Sequence, residues 1–399
     1  MTPTLSPRSI AAALSVAVAS GGLLAAQHEE LFERFRKMSD RFEKRVAETP
    51  YVGIATSNGM ERDLFHLGSD GVSTEPVREA AFAFLGGLSD EQRASTQFAV
   101  DDDEWRRWMN QHFYVRHGVS FEEMDEAQRE LALNLLRTSL SAKGLELSRD
   151  IMRLNHTLGE LDGDNFVEFG EWLYHLTLMG EPHATNPWGW QLDGHHLIVN
   201  FFVVGDQVVM TPTFLGSEPV TAESGKYAGT TILQEEQSRG LELLRSLPDS
   251  LRERAVLSAK KKGNNNQGEA GQDNFTLEYE GVAGNELPPE SRTALLRLIE
   301  LYTDNLRDEH ADVWLDEIEA HLDRTYFAWI GGQEDDAVYY YRIHSPVILI
   351  EFDHQRPANL RHLMPPVPSR QHIHVVVRTP NGNDYGKDLL RQHLEAHPH

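Results

Sequence analysis

The sequence predicts an α+β fold in which a helical N-terminal half packs on a mostly antiparallel sheet built from the middle and C-terminal segments. Three observations predict it: helical spacing of apolar residues in the first half, a hairpin pattern near residue 205, and closely spaced strand-like runs in the last hundred residues. With 399 residues, 40% of them hydrophobic, the chain has the composition of folded proteins that bury a substantial core.

In the N-terminal half, apolar residues recur at helical spacing over 80–85, and Ser89 is placed to cap the helix that follows. Leucines continue an amphipathic pattern from Leu131 to Leu140, and we expect further helices over 151–158 and 172–179. Helices are also predicted over 233–247, closed by Pro248, and over 251–261.

The strand signals begin after residue 196. Residues 197–204 and 207–210 are apolar runs joined by Gly205-Asp206, which is typical of a β-hairpin. Four further strands are predicted over 326–330, 338–343, 347–352 and 372–377. Because too little chain separates the first three for crossover helices, we expect them to pair antiparallel as a meander.

The extreme N-terminus predicts a signal peptide over residues 1–26. Arg8 precedes a small apolar run, and charge begins sharply at Glu29. This pattern indicates an exported, periplasmic or secreted protein. The alternative is an Ala-rich helix packed on the body, which would leave the protein cytoplasmic. The run is too short and too broken by Gly21-Gly22 for a membrane span, so we expect no stable insertion of the mature chain.

Three further segments follow from composition. A charged helix and linker are predicted over 27–75, and a single α+β domain over 76–399. Within that domain, residues 260–274 combine lysines, asparagines and glycines with almost no apolar residue, which predicts a mobile surface loop.

Charge and cysteine content narrow the function. The formal net charge of -25 would repel the phosphates of nucleic acid, so nucleic acid is excluded as a partner and a small-molecule substrate is favoured. The chain has no cysteine, which excludes disulfides, thiolate metal sites and a cysteine nucleophile. Histidine and carboxylate side chains are therefore the only strong metal ligands. No pattern in the sequence sets the oligomeric state.

Two pairs of histidines are the candidate metal ligands. His372 and His374 are two apart on a predicted strand, so both imidazoles point to one face. His195 and His196 directly precede another strand, and adjacent strand residues face opposite sides, so at most one of them is expected to bind the same ion. The metal would be a divalent transition ion, zinc by default, with copper or iron as alternatives.

Carboxylates and a cation near these histidines complete the predicted catalytic set. Glu351 and Asp353 alternate on one strand and are candidates for a ligand or a general base. Arg378 follows the His372–His374 strand and could clamp an anionic substrate. Six more residues are predicted to contact the substrate: Trp188, Trp190, Asn200, His354, Asn383 and Asp384. For Asp384, capping of the next helix is the competing role.

Several of these motifs occur together in one known family. Trp188-Gly-Trp190, Gly194-His-His196, Thr211-Pro-Thr213, Ile350-Glu-Phe-Asp-His354 and His372-Ile-His374 resemble the domain-of-unknown-function family numbered 3500, over residue 76 to the C-terminus. Members of that family look like exported bacterial proteins. The resemblance implies that the histidine elements form one recurring constellation, and it brings no activity with it.

The functional hypothesis is therefore an exported metal-dependent enzyme of unknown substrate, more hydrolytic than oxidative in character. The ion would polarise a substrate oxygen and activate a bound water. Two alternatives remain open at this point. One is a non-catalytic periplasmic protein that binds a metal or a small ligand, and the other is a metal-free, hydrogen-bonded histidine network.

Overall fold

The computed structural model describes residues 29–397, so the predicted signal peptide over 1–26 lies outside the described residues. The chain divides into two compact units, and the described part of the first comprises residues 29–49 and 113–115. In that unit helix α1, residues 29–48, packs Phe35 against Phe113 and Phe42 against Tyr114. The second unit comprises residues 50–112 and 116–397, and it holds the candidate site.

Nine α-helices of the described chain belong to the second unit. They are α2 (Glu75–Gly87), α3 (Asp90–Thr96), α4 (Glu126–Ser139), α5 (Ala142–Leu161), α6 (Gln234–Ser246), α7 (Asp249–Ala255), α8 (Pro289–Thr303), α9 (Asp308–Ala320) and α10 (Lys387–Ala396). Polar caps define where several begin: Ser89 and Asp125 form capping boxes at α3 and α4, and the Ser141 hydroxyl accepts from Gly144 N at α5. Within residues 29–397, no helix has the length and apolar character that a membrane crossing requires.

A single mostly antiparallel sheet of 13 strands forms the centre of this unit. Its strands are β1 (Gln97–Phe98), β2 (Val119–Ser120), β3 (Tyr174–Met179), β4 (Trp188–Gly194), β5 (Leu197–Val204), β6 (Gln207–Val209), β7 (Thr213–Ser217), β8 (Val256–Ser258), β9 (Val282–Ala283), β10 (Tyr326–Gly331), β11 (Tyr339–His344), β12 (Leu349–His354) and β13 (Ile373–Arg378). The main path runs β1-β3-β4-β5-β7-β13-β12-β11-β10-β8, and only the β1–β3 and β8–β10 pairs are parallel. The predicted α+β class is confirmed.

The predicted C-terminal meander is confirmed by the register of its strands. β10 pairs with β11, β11 with β12 and β12 with β13, all antiparallel. The hairpin around Gly205-Asp206 also forms, with β5 paired to β6. Every residue of β5, β11, β12 and β13 is buried, so the centre of the sheet is covered on both faces.

Two predicted helices are wrong. Residues 174–179 form strand β3 rather than part of a helix over 172–179, because the segment pairs with β4 along its length and fills the core from both faces. The helix predicted over 251–261 is only the short α7, and the chain then extends as β8 beside β10. In both segments, tertiary pairing overrides the local preference of the sequence.

The segments predicted as a linker and a surface loop lie against the sheet unit. Ile54 and Phe65, within the predicted linker, are buried, and Ala55 forms a bridge with Thr276. In the predicted surface loop, Gln267 N and Gly268 N donate to the buried carboxylate of Glu351. Residues 260–274 therefore cover the β12–β13 face instead of extending away from it.

Candidate metal centre

Three of the predicted histidines converge at one point. The Nε2 atoms of His196, His372 and His374 lie 3.0 Å (His372 to His374), 3.1 Å (His196 to His374) and 3.3 Å (His196 to His372) apart. Two imidazole nitrogens bound tetrahedrally to one zinc ion at 2.0–2.1 Å would be about 3.3 to 3.4 Å apart. The spacing is therefore close to that of a metal-ligand set.

The sheet brings these three residues together across strand β7. His196 lies in the β4–β5 turn, where its φ of 62° is left-handed, and the next residue, Leu197, pairs with Leu215 of β7. On the other side of β7, His374 pairs with Gly216. A Cβ at Gly216 would lie 3.4 Å from the His374 ring and 2.4 Å from the Ile373 carbonyl oxygen. The missing side chain therefore allows the close approach of β13 and its histidine.

In two of the three rings, the nitrogen that faces away from the converging point contacts an oxygen atom, and this contact sets the tautomer of the ring. His372 Nδ1 lies 2.7 Å from the Arg356 carbonyl oxygen, and His374 Nδ1 lies 2.8 Å from Glu269 Oε1. The Arg356 carbonyl oxygen only accepts, and so does the Glu269 carboxylate when it is ionised, so with Glu269 ionised Nδ1 carries the proton in both rings. In the neutral rings the two Nε2 atoms then present lone pairs to each other across 3.0 Å. A cation bound between the two nitrogens would remove the repulsion between their lone pairs.

Burial keeps the three imidazoles neutral, which is the form that binds metals. It lowers the pKa of His196 and of His374 well below the usual value, and neighbouring histidines lower both further. Burial also lowers the pKa of His372. The exposed fractions are 5% for His196, 2% for His372 and 7% for His374, so little water reaches the rings.

Carboxylates surround the histidines without joining them as ligands. Burial raises the pKa of Glu269, which holds His374, to about 7. Glu218 Oε2 lies 3.8 Å from His372 Nδ1, and the same carboxylate accepts from three backbone N–H groups, those of Ala358, Asn359 and Leu360. A carboxylate behind a ligating histidine orients the ring and makes its nitrogen a stronger ligand.

His195 is beside the three histidines but not among them. Its ring stacks on His196 with 4.0 Å between centroids, and its Nδ1 lies 2.8 Å from Asn155 Oδ1. Only one of the two adjacent histidines is therefore in the converging set, as predicted. The reason differs, because the pair lies in a turn rather than on a strand with alternating faces.

Glu351 and Asp353, predicted as ligand or general base, are occupied elsewhere. Glu351 accepts from Gly268 N at 2.7 Å and from the Tyr340 hydroxyl at 2.6 Å. Asp353 accepts from Asn265 N at 2.6 Å and pairs with the buried Lys261 ammonium. Both carboxylates therefore hold the loop over 260–274 in place.

Arg378, predicted as an anion clamp, binds two buried aspartates of the chain itself. Its Nε donates to Asp384 at 2.8 Å and its terminal nitrogen donates to Asp273 at 2.7 Å. Asp384 does not cap α10; it pairs with Arg378 and accepts from Thr379 N at 2.7 Å. Asn383 lies nearby and lines a cavity with Trp314 and Glu317, and none of the three converging histidines lines that cavity.

The other predicted substrate contacts belong to the core. Trp188 and Trp190 are fully buried on β4, and the Trp190 ring stacks on Phe201 with 5.3 Å between centroids. Asn200 accepts from Gln191 Nε2 and donates to the Pro212 carbonyl oxygen. His354 is likewise satisfied, because its ring nitrogens contact Tyr339 N and Gln237 Oε1. These four side chains stabilise the sheet rather than line a site.

Glu269 and the Arg356 carbonyl are parts of the site that the sequence patterns did not indicate. Both lie in irregular segments with no periodicity. The only available signal was the presence of two carboxylates, Glu269 and Asp273, in the glycine- and asparagine-rich stretch over 260–274. Acidic side chains in such a segment are ordinarily solvated.

The chain matches one known protein family. A family model for a protein of unknown function, DUF3500, matches residues 70–387, which is most of the chain. The chain belongs to the DUF3500 family. The match includes all three converging histidines and Glu269. No curated protein and no solved structure matches the chain, so the family brings no assigned activity.

Proposed function

We propose that this DUF3500 protein is an exported metal-dependent enzyme that uses a histidine-bound zinc ion to hydrolyse a small-molecule substrate. The observation that carries the proposal is the convergence of three Nε2 atoms; in His372 and His374, with Glu269 ionised, Nδ1 donates to oxygen and leaves Nε2 unprotonated. Lone pairs facing each other at this distance are stabilised by a cation rather than by hydrogen bonds among themselves.

The number of ligands supports catalysis over a structural role. Among residues 29–397, the three histidines form the only group of side chains close enough together to hold an ion. Structural zinc sites have four protein ligands, whereas catalytic sites have three and leave one position for water or substrate. Three neutral nitrogens also leave the full charge of the ion to lower the pKa of bound water.

The surrounding residues would position the ligands. Glu269 and the Arg356 carbonyl fix the ring orientation of His374 and His372 by accepting from Nδ1. The stacked ring of His195 packs against His196 and limits the space on that side. The signal-peptide pattern over 1–26 supports export, where a zinc site without cysteine is insensitive to oxidation.

The first test is elemental analysis of the full chain purified without a histidine tag. We expect one equivalent of zinc, lost in His196→Gln and retained in the matched variant His195→Gln, because only His196 reaches the converging set. Equal metal content in the two variants, or less than stoichiometric metal in the parent protein, would show that the assignment of the ligands is wrong.

The second test separates an enzyme from a binding protein. The zinc-loaded chain is assayed against a panel of activated carboxylic and phosphoric esters, and we expect turnover that disappears in His374→Gln. The exposed His362 provides the control variant His362→Gln, which should retain activity. Stoichiometric zinc without turnover of any ester would favour the non-catalytic metal-binding alternative.

A further inference from the structure

A cavity distinct from the histidine centre lies between the segment around Phe65, strand β6, helix α9 and the start of α10. Its volume is about 330 Å³, within the range that small ligands occupy. Trp314 and Met210 contribute apolar and aromatic wall, and Leu389 lines the side formed by α10. None of the three converging histidines lines it.

Two polar side chains that line this cavity have no partner within the described chain. His310 is buried, with 6% of its surface exposed, and its ring makes no hydrogen bond, ion pair or ring contact among residues 29–397. The carboxylate of Glu317, on the same helix α9, also lines the cavity; it is half-buried and makes no hydrogen bond or ion pair among the described residues. Buried polar groups are nearly always hydrogen-bonded, so the buried imidazole of His310, with the Glu317 carboxylate on the same cavity wall, points to a ligand.

The charge of the lining is negative. Asp70 and Glu317 both line the cavity, and no lysine or arginine does. Burial raises the pKa of Glu317 to about 7, and the nearby Asp70 charge raises it further. Burial lowers the pKa of His310 to about 4, so its imidazole is neutral at pH 7. The lining therefore offers carboxylates and a neutral acceptor, which are complementary to a cation.

The spacing of these groups argues against a metal ion. Asp70, His310 and Glu317 are not a group that converges closely enough to hold one, a property that the described residues show only at His196, His372 and His374. A wider ligand that carries several donors could reach separated acceptors. The indole of Trp314 can also stack on a delocalised cation.

We propose that this cavity binds a small organic cation with several N–H donors on an apolar or aromatic body. The head group would donate to Glu317, His310 and Asp70, and the body would pack on Trp314 and Met210. Asp70 already accepts from Gln207 Nε2 at 3.2 Å, which holds its carboxylate beside the cavity. The proposal is independent of whether the histidine centre is catalytic.

Calorimetric titration of the full chain with benzamidinium at pH 8 tests the proposal, with neutral benzamide as the isosteric control. We expect benzamidinium to bind at least tenfold more tightly than benzamide. Glu317→Gln should weaken benzamidinium binding at least tenfold. The matched variant Asp316→Asn, which removes the same charge from an exposed neighbour on α9, should leave it unchanged.

Further variants and a competition with Mg²⁺ complete the titration. If Glu317→Gln does not fold, Asp70→Asn replaces it with the same expected direction, while His374→Gln should leave benzamidinium binding unchanged. Equal binding of benzamide and benzamidinium would overturn the proposal. So would displacement of benzamidinium by millimolar Mg²⁺, since that would show an ion site, and so would full affinity in both carboxylate variants.

Discussion

Strand β13 carries a buried polar group at each end, and the two groups are built on opposite principles. At its start, His372 and His374 meet His196 with three nitrogens facing one another. At its end, Arg378 donates to Asp384 and Asp273, so that donors face acceptors. The comparison teaches that burial and charge alone do not identify a functional site. The informative property is whether the groups already satisfy each other.

The Arg378 group extends well beyond the arginine. Asp273 also accepts from Arg106 Nε at 2.9 Å and from the Tyr385 hydroxyl at 3.1 Å, and Tyr385 accepts from Trp108 Nε1 at 2.9 Å. Each of these side chains is buried. Such a complete network joins the sheet, the loop over 260–274 and the C-terminal segment. It needs no ligand.

The largest effect on stability is expected when the hydrogen-bonded Arg378 group at the end of β13 is disrupted. Arg378→Met should lower the free energy of unfolding by about 3 to 5 kcal/mol, because it leaves the buried Asp384 without its charged partner and removes one of the two arginines that contact Asp273. Urea denaturation measures this change. Arg239→Met removes an exposed arginine from surface ion pairs and should change stability by no more than about 1 kcal/mol. Equal effects of the two variants would contradict a structural role for Arg378.

The same measurement should give a different result at the histidine end. Zinc at 1,000 times its dissociation constant should raise the free energy of unfolding of the parent protein by about 4 kcal/mol, because the ion binds only the folded state. In His374→Gln the same zinc concentration should have no effect. The exposed variant His362→Gln should respond like the parent. A zinc response that survives in His374→Gln would place the ion elsewhere.

A smaller effect, on zinc affinity, is expected at Glu269, which contacts His374 on the side of the ring away from the converging nitrogens. Glu269→Gln should weaken zinc binding by about 10- to 100-fold, because the variant no longer holds His374 through an ionised oxygen. Competition with a chelator of known affinity measures the change. Glu253→Gln, an exposed acid on α7, serves as the control and should leave the affinity unchanged. Loss of zinc affinity in both variants would indicate a general charge effect instead.

The smallest effect concerns the metal-free protein and pH. Burial depresses the pKa of His374 below its value in the unfolded chain, so the unfolded state binds more protons as pH falls below about 6.5. Its contribution to stability is therefore present above that pH and is lost as pH falls. Between pH 6 and 5, the stability of His374→Gln should fall less steeply than that of the parent, by about 1.4 kcal/mol per pH unit. Identical slopes in urea denaturation would show that His374 is charged in the folded state.

Much of the fold follows from local patterns. The meander was predictable because β-branched and aromatic runs are separated by segments too short for helices. Strands β3 and β4 were not, because Trp188-Gly-Trp190 has the composition of a turn and the preceding apolar residues have no clear period. β3 pairs with β4, and β4 pairs with β5 across the tight turn at 195–196, so their strand state comes from pairing with sequence neighbours that composition alone does not indicate.

The candidate site shows the same limit at the level of single residues. Spacing predicted that His372 and His374 share a face, and adjacency predicted that only one of His195 and His196 joins them. Spacing also placed Glu351 and Asp353 near the histidines, and Asp353 does pair across the sheet with His374. The loop over 260–274 donates hydrogen bonds to both carboxylates and supplies Glu269, which contacts His374. Alternation along a strand cannot reveal which distant segment covers it.

The most direct test of the central claim is an anomalous difference map from a crystal of the untagged chain, collected above the zinc absorption edge. The account predicts one peak about 2.0 to 2.1 Å from Nε2 of each of His196, His372 and His374, with a fourth, non-protein ligand. It would be contradicted by a map without a peak between the three rings, or by a peak that a fourth protein side chain also ligates.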